Sequence, residues 1–269
     1  MDFSTQAQKF TRLLPEFVVS IGQSLFGDVC YKILIYDAGL LVIPPQDQAV
    51  LPCAKLAFSK LLGLLIVIAS SVIKLPQIIK LINAQSAVGV SIIGTVLEAA
   101  SYLIMFAYAV RFGFPFSTYG EQSFLFVQDV AIVILLLVYS SKQTLAFGVL
   151  PVVAGISYYA LVYVPGPSPT TLATLQTLTI PLSLASKIPQ IITIVREKST
   201  GQLSAVAVFA YLGGSLARVF TTLQEVDDQI ILAGNLLSAV LNGILAILMA
   251  IYWNSLTPKA PEDEAKKKQ

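Results

Sequence analysis

The chain has 269 residues and a net charge of +2, with 56% of residues hydrophobic and only 12% charged; mean hydropathy is +0.79. A soluble domain carries roughly twice that charged fraction, so the composition excludes an ordinary soluble fold and points to an all-α, polytopic membrane protein whose spans take about 20 apolar residues each. The small net charge makes no case for nucleic acid, and the absence of histidine removes the usual general base, the usual zinc ligand and every Ser-His-Asp or Cys-His arrangement. No clustered carboxylate pair stands out either, so neither an enzyme nor a metal or cofactor site is expected.

Residues 1–55 mix apolar patches with Asp37, Pro44, Pro45 and Asp47 and read as an N-terminal segment lying on the membrane as amphipathic helices or as a tail. Pro15 and Glu16 interrupt its start, so no cleaved signal peptide is expected. Seven spans follow, at about Leu56–Ile82, Val90–Val110, Ser123–Tyr139, Leu145–Val164, Thr170–Val195, Leu203–Leu223 and Ile230–Trp253. Residues 255–269 form a tail that ends in Lys266-Lys267-Lys268 and Gln269.

One phrase occurs twice. Lys74-Leu75-Pro76-Gln77-Ile78-Ile79 returns as Lys187-Ile188-Pro189-Gln190-Ile191-Ile192, 113 residues later, and the match continues to Ser86 and Ser199, then Ser91 and Ser204. The repeat divides the chain into a three-span unit at 56–139, a linker span at 140–169 and a second three-span unit at 170–254. With a single span between them, both units enter the bilayer in the same direction and are parallel repeats. The same offset sets Asp129 over Asn242.

Loop charges give the orientation. Lys80, Lys142, Arg196 and Lys198 follow spans one, three and five, whereas Arg111, Glu225, Asp227 and Asp228 follow spans two and six. The basic side faces the cytosol, which places the C-terminus in the cytosol and the N-terminus on the lumenal side. Lys9, Arg12, Lys32 and Lys55 run against that rule. Cys30 and Cys53 then share the lumenal side, where they either form a disulfide or stand as two free thiols.

Several residues could carry chemistry. A proline inside a helix removes one backbone hydrogen bond and clashes with the carbonyl four residues back, so Pro76 and Pro189 are expected to free the carbonyls of Val72 and Ala185 and to act as hinges. Gln77 and Gln190 are candidates to satisfy those carbonyls or to line a cavity. Lys74, Lys187 and Arg218 are candidate phosphate- or ligand-binding cations; the two lysines also have the option of snorkelling to the cytosolic interface. Arg218 is too deep for that, and its expected partners are Glu98, Asp129 or Glu225. Glu98, Asp129 and Asn242 are candidate polar cavity residues. Gly213, Gly214 and Ala217 are expected to let helices approach closely, and the aromatics of Phe114-Pro115-Phe116-Ser117-Thr118-Tyr119-Gly120-Glu121 fit an interfacial belt between spans two and three.

Paired Pro-Gln phrases in a three-plus-one-plus-three chain resemble the PQ-loop proteins, relatives of the SWEET sugar transporters and cystinosin. Lys74-Leu75-Pro76-Gln77, Phe114-Pro115-Phe116-Ser117 with Gly120-Glu121, Gly201-Gln202-Leu203-Ser204 and Gly213-Gly214-Ser215-Leu216-Ala217-Arg218 resemble the branch of that family concerned with mannose-P-dolichol utilization. The likeness runs from about Cys53 to Trp253; residues 1–50 and Asp129 lie outside its pattern. It implies an endoplasmic reticulum protein needed for the use of dolichyl-phosphate mannose and dolichyl-phosphate glucose in N-glycan precursor, GPI-anchor and O- or C-mannosylation pathways, with no glycosyltransferase activity of its own and no cofactor. Its partners would be those lipids and lumenal dolichol-dependent glycosyltransferases, and the tri-lysine tail would be a retrieval signal. Translocation of the lipid-linked sugar, a non-transporting chaperone of the transferases, and export of a small solute such as a sugar or amino acid are the functions to separate.

Overall fold

The computed structural model describes residues 15–36, 50–87, 90–140, 145–163, 166–185, 187–198 and 205–252, and these are helical with short turns. Lys142, Ser199, Gly201–Ser204, Trp253 and the lysine tail lie outside the described residues, as do the side chains of Pro189 and Gln190. The first helices are α1 (Glu16–Phe26) and α2 (Asp28–Tyr31), followed by a π turn at Lys32–Tyr36. A disulfide joins Cys30 to Cys53, with Cα atoms 5.1 Å apart, and ties this segment to the start of α3 (Val50–Ser70). The N-terminal helices therefore pack on α3 rather than trailing as a tail.

The remaining helices are α4 (Leu75–Ala84), α5 (Ile92–Arg111), α6 (Phe116–Tyr139), α7 (Leu150–Val162, entered by a π turn at Leu145–Val149), α8 (Pro169–Ala185), α9 (Lys187–Glu197), α10 (Ala205–Glu225) and α11 (Gln229–Ile251). Among the described residues, four stretches are long and apolar enough to cross a membrane: Val50–Ala84, Ile92–Arg111, Phe116–Tyr139 and Gln229–Ile251. The seven expected positions all carry helix. However, α7 is short, residue 186 of the fifth position lies outside the described residues, and α10 carries Arg218, Thr221, Thr222, Gln224 and Glu225. Two boundaries also move. The first span starts at Val50 instead of Leu56, and the third at Phe116 instead of Ser123, because Pro115 can stand at a helix start without losing a needed N–H. Much of the expected belt loop is thus the first turns of α6. Its aromatics still gather, with the Phe114 ring centroid 6.1 Å from those of Tyr108 and Phe112.

The repeat is visible in the backbone. Helices α5 and α10 start at 92 and 205, and α6 and α11 start at 116 and 229, each pair 113 residues apart. Gln85 and Lys198, which follow α4 and α9, share the same offset and are both left-handed, at φ 47° and 49°. Packing is reciprocal: α3 lies on α10, and α8 lies on α5. Within the units α6 packs against α3, α4 and α5, and α11 against α8, α9 and α10, while the linker α7 sits on α5 and α6. Buried Ile132 and Leu136 of α6 meet Leu81 of α4, and buried Leu245, Ala246 and Met249 of α11 meet Ile194 of α9 and Val208 of α10.

The expected close-packing glycines are elsewhere. A Cβ at Gly213 or Gly214 would meet nothing within 4 Å, whereas one at Gly63 would lie 2.5 Å from the carbonyl oxygen of Ser117. Gly63 is what lets α3 approach the start of α6. Gly63→Ala should therefore cost about 1–3 kcal/mol through overpacking, whereas Gly213→Ala and Gly214→Ala should be neutral or slightly stabilising; thermal unfolding in detergent measures both.

Candidate functional site

The first proline phrase ends one helix and begins another. After Ser70 the chain turns through 71–74, and Pro76 occupies the first turn of α4, where a missing N–H costs nothing. The expectation that Pro76 frees the Val72 carbonyl is corrected, since that carbonyl accepts the Leu75 N–H at 3.1 Å. Ser70 and Ser71 hydroxyls take the carbonyls of Val67 and Ile68 at 2.6 and 2.7 Å. Gln77 is exposed and does not serve the break. That work falls to Gln128 of α6, which no sequence signal had singled out. Its Oε1 accepts the Lys74 N–H at 3.0 Å, and its Nε2 donates to the Ser70 carbonyl at 2.8 Å. The second phrase does not repeat that turn among the described residues: the positions matched to 71–74 are helical at 184, 185 and 187, residue 186 lies outside the described residues, and Pro189 lies within α9. A further proline, Pro181, lies inside α8.

Both lysines turn inward instead of snorkelling. Lys74 Nζ pairs with Asp129 Oδ1 and lies 2.9 Å from Glu98 Oε1, with the Tyr102 ring centroid 5.1 Å away. Tyr102 in turn donates to Glu98 at 2.9 Å. Asp129 is fully buried, so its charge has a partner in a place where an isolated one would be costly. Lys187 Nζ donates to Asn242 Oδ1 at 2.8 Å and to Ser238 Oγ at 3.2 Å, and Asn242 donates to the Tyr211 carbonyl at 3.1 Å. The two lysines thus reach the positions that the repeat sets over each other. The difference is chemical: Lys74 meets two carboxylates, while the partners of Lys187 among the described residues are neutral.

Arg218 does not meet Glu98, Asp129 or Glu225 as expected. Its Nη2 lies 2.6 Å from Glu121 Oε2, and its Nη1 donates to the Ser117 carbonyl at 3.0 Å. Glu225 instead holds Lys60 at 2.7 Å and accepts from Ser59 at 2.5 Å and Ser117 at 2.8 Å. The expectation erred because Glu121 was assigned to a loop, whereas α6 has already begun there. Lys60 was missed although a lysine inside an apolar run is itself a signal.

A helical membrane protein built on two superposable proline-marked units is the class this architecture defines. The PQ loop repeat matches residues 58–118 and 171–231. Solute carrier family 66 member 3 of Homo sapiens is 27% identical over 170 residues, covering 63% of this chain and 82% of that protein. The chain thus carries two stretches that match the PQ loop repeat in an apolar helical fold, and it is similar to a solute carrier family 66 protein.

The unequal partners predict unequal costs. Lys74→Ala strands buried Asp129 and should cost about 2.5–3.5 kcal/mol, the scale for an uncompensated charge at membrane depth. Lys187→Ala gives up only hydrogen bonds to neutral groups and should cost about 0.6 kcal/mol. Melting temperatures of the two variants in detergent check the order; equal losses would contradict it.

Proposed function

We propose that the chain is a seven-span protein of the endoplasmic reticulum, made of two parallel three-helix PQ-loop units and a linker helix, that binds dolichyl-phosphate mannose or dolichyl-phosphate glucose and moves its headgroup between leaflets or presents it to lumenal transferases. The motif likeness to the mannose-P-dolichol utilization defect 1 protein supports this reading. The single observation that carries it is Lys187. Of the three candidate cations, Lys74 faces Asp129 and Glu98, Arg218 faces Glu121, and among the described residues only Lys187 is held by neutral partners. A lysine held this way within an apolar bundle is set to receive an anionic group, and a phosphodiester headgroup supplies one through charge-assisted hydrogen bonds. The lipid chain stays in the bilayer and asks nothing polar of the protein.

A second reading, export of a small solute, is favoured by the similarity to the human solute carrier. Reconstitution separates the two. The purified chain in vesicles is given a short-chain mannosyl-phosphoryl-dolichol analogue, and its transbilayer movement is followed. Lys187→Ala should slow movement roughly tenfold or more, the loss of one charge-assisted hydrogen bond, and Lys187→Arg should restore much of it. Uptake of a neutral sugar or amino acid with no movement of the lipid would favour the solute reading instead.

A further inference from the structure

The two units meet along two seams, α3 against α10 and α5 against α8, and the seams differ in chemistry. At the first, Ser59, Lys60, Ser117, Glu121, Arg218 and Glu225 form one connected network. The repeat offset sets Leu172, Ala173, Ile230, Gly234, Met105 and Phe112 at the matching positions of the second seam, and none of these is charged. Buried Leu172 of α8 packs there with Ala107 and Tyr108 of α5.

The network is neutral in sum and incomplete in its hydrogen bonds. Two cations face two carboxylates. Arg218 Nη2 meets Glu121 Oε2 at 2.6 Å and Nη1 donates to the Ser117 carbonyl, while Arg218 Nε is buried with no partner among the described residues. A guanidinium has five N–H donors, so Nε is a directed donor left for a further acceptor. On the outer side of the same seam, Phe58 and Phe220 meet edge to face at 5.6 Å, and Phe58 is 59% exposed. Two apolar rings can part into lipid without stranding a polar group.

A lipid that keeps its chain in the bilayer must pass its headgroup between two helices, because a closed central channel would have to swallow the chain as well. We infer that the α3/α10 seam is the lateral portal for the phosphorylated, hydroxyl-bearing headgroup of a membrane lipid, with Phe58 and Phe220 as its apolar cover. Lys60 and Arg218 donate to the phosphate, and Glu121 and Glu225, released from them, accept from sugar hydroxyls. Entry exchanges partners at the seam and adds the single negative charge of the phosphate to a network that is neutral without it. This rests on the lipid-linked sugar reading above but does not require that the headgroup cross the membrane.

The test is photolabelling of the full chain in phosphatidylcholine vesicles with citronellyl-phosphoryl-mannose carrying a diazirine beside the phosphate. A diazirine on citronellol alone reports general contact with lipid. The expected result is headgroup-dependent labelling within residues 56–63 and 216–225. Lys60→Gln with Glu225→Gln removes one charge of each sign and should reduce it roughly tenfold. Phe58→Ala with Phe220→Ala keeps the network and should increase it. Headgroup-dependent labelling confined to α5, α7 or α8, or labelling no different from citronellol, overturns the portal. Labelling at the seam in a protein that moves no lipid keeps the portal and defeats translocation.

Discussion

A charge within an apolar bundle must have a partner, and that constraint decides which helices of this protein touch. Lys74 reaches from the α3–α4 turn to α5 and α6, Lys60 from α3 to α10, and Arg218 from α10 to α6. Each pair joins different helices, so each selects a neighbour instead of merely stiffening one helix. Hydrophobic burial cannot make that selection where lipid is as apolar as the side chains. Helix α6 carries three of the contacts that result: Asp129 for Lys74, Gln128 for the break, and Glu121 for Arg218. It is accordingly among the most buried helices, with Ile132 and Leu136 fully enclosed.

Duplication supplied two copies of one backbone, and a few side chains gave them different properties. Helix starts and left-handed caps recur at the same offset. One oxygen-for-nitrogen change, Asp129 against Asn242, decides whether the lysine of a unit is neutralised from within. The seams show the same division. Six residues make one of them ionic, and the matched six of the other are uncharged, its Tyr108 donating to Asp228 at 2.6 Å. A directional contact of several ion pairs has intact and broken states, while an apolar contact tolerates sliding; the pair of seams thus resembles a latch facing a bearing.

Much of this was legible in the chain. The 113-residue offset and the setting of Asp129 over Asn242 follow from reading one phrase twice. Partner identity was not legible. Arg218 was matched to acids of spans two, three and six, but its partner depends on which helices are adjacent, and adjacency is a property of the packed bundle. Glu121 and Ser117 were hidden by a misplaced boundary, although Pro115 followed by Phe116 already reads as a helix start. Gln128 was hidden for another reason. A glutamine in an apolar helix carries no charge to flag it, and its value lies in satisfying backbone groups of a helix 58 residues away.

The role of the prolines changes once Gln128 is taken into account. A proline kink inside a continuous helix leaves a carbonyl exposed, and bending there trades strain against solvation. In the first unit there is no such trade. The helix ends, serine hydroxyls and Gln128 satisfy the loose backbone groups, and Pro76 begins the next helix in a position it tolerates. Motion about this break must give up the glutamine contacts, which hold the break and α6 together. The position matched to Gln128 in the second unit is Leu241, which offers no hydrogen bond. The second unit therefore lacks that amide contact, and the partners of its lysine among the described residues are neutral. The duplicated fold holds its first half by charge and amide contacts, so that a bound anion would supply to the second unit what Asp129 supplies to the first.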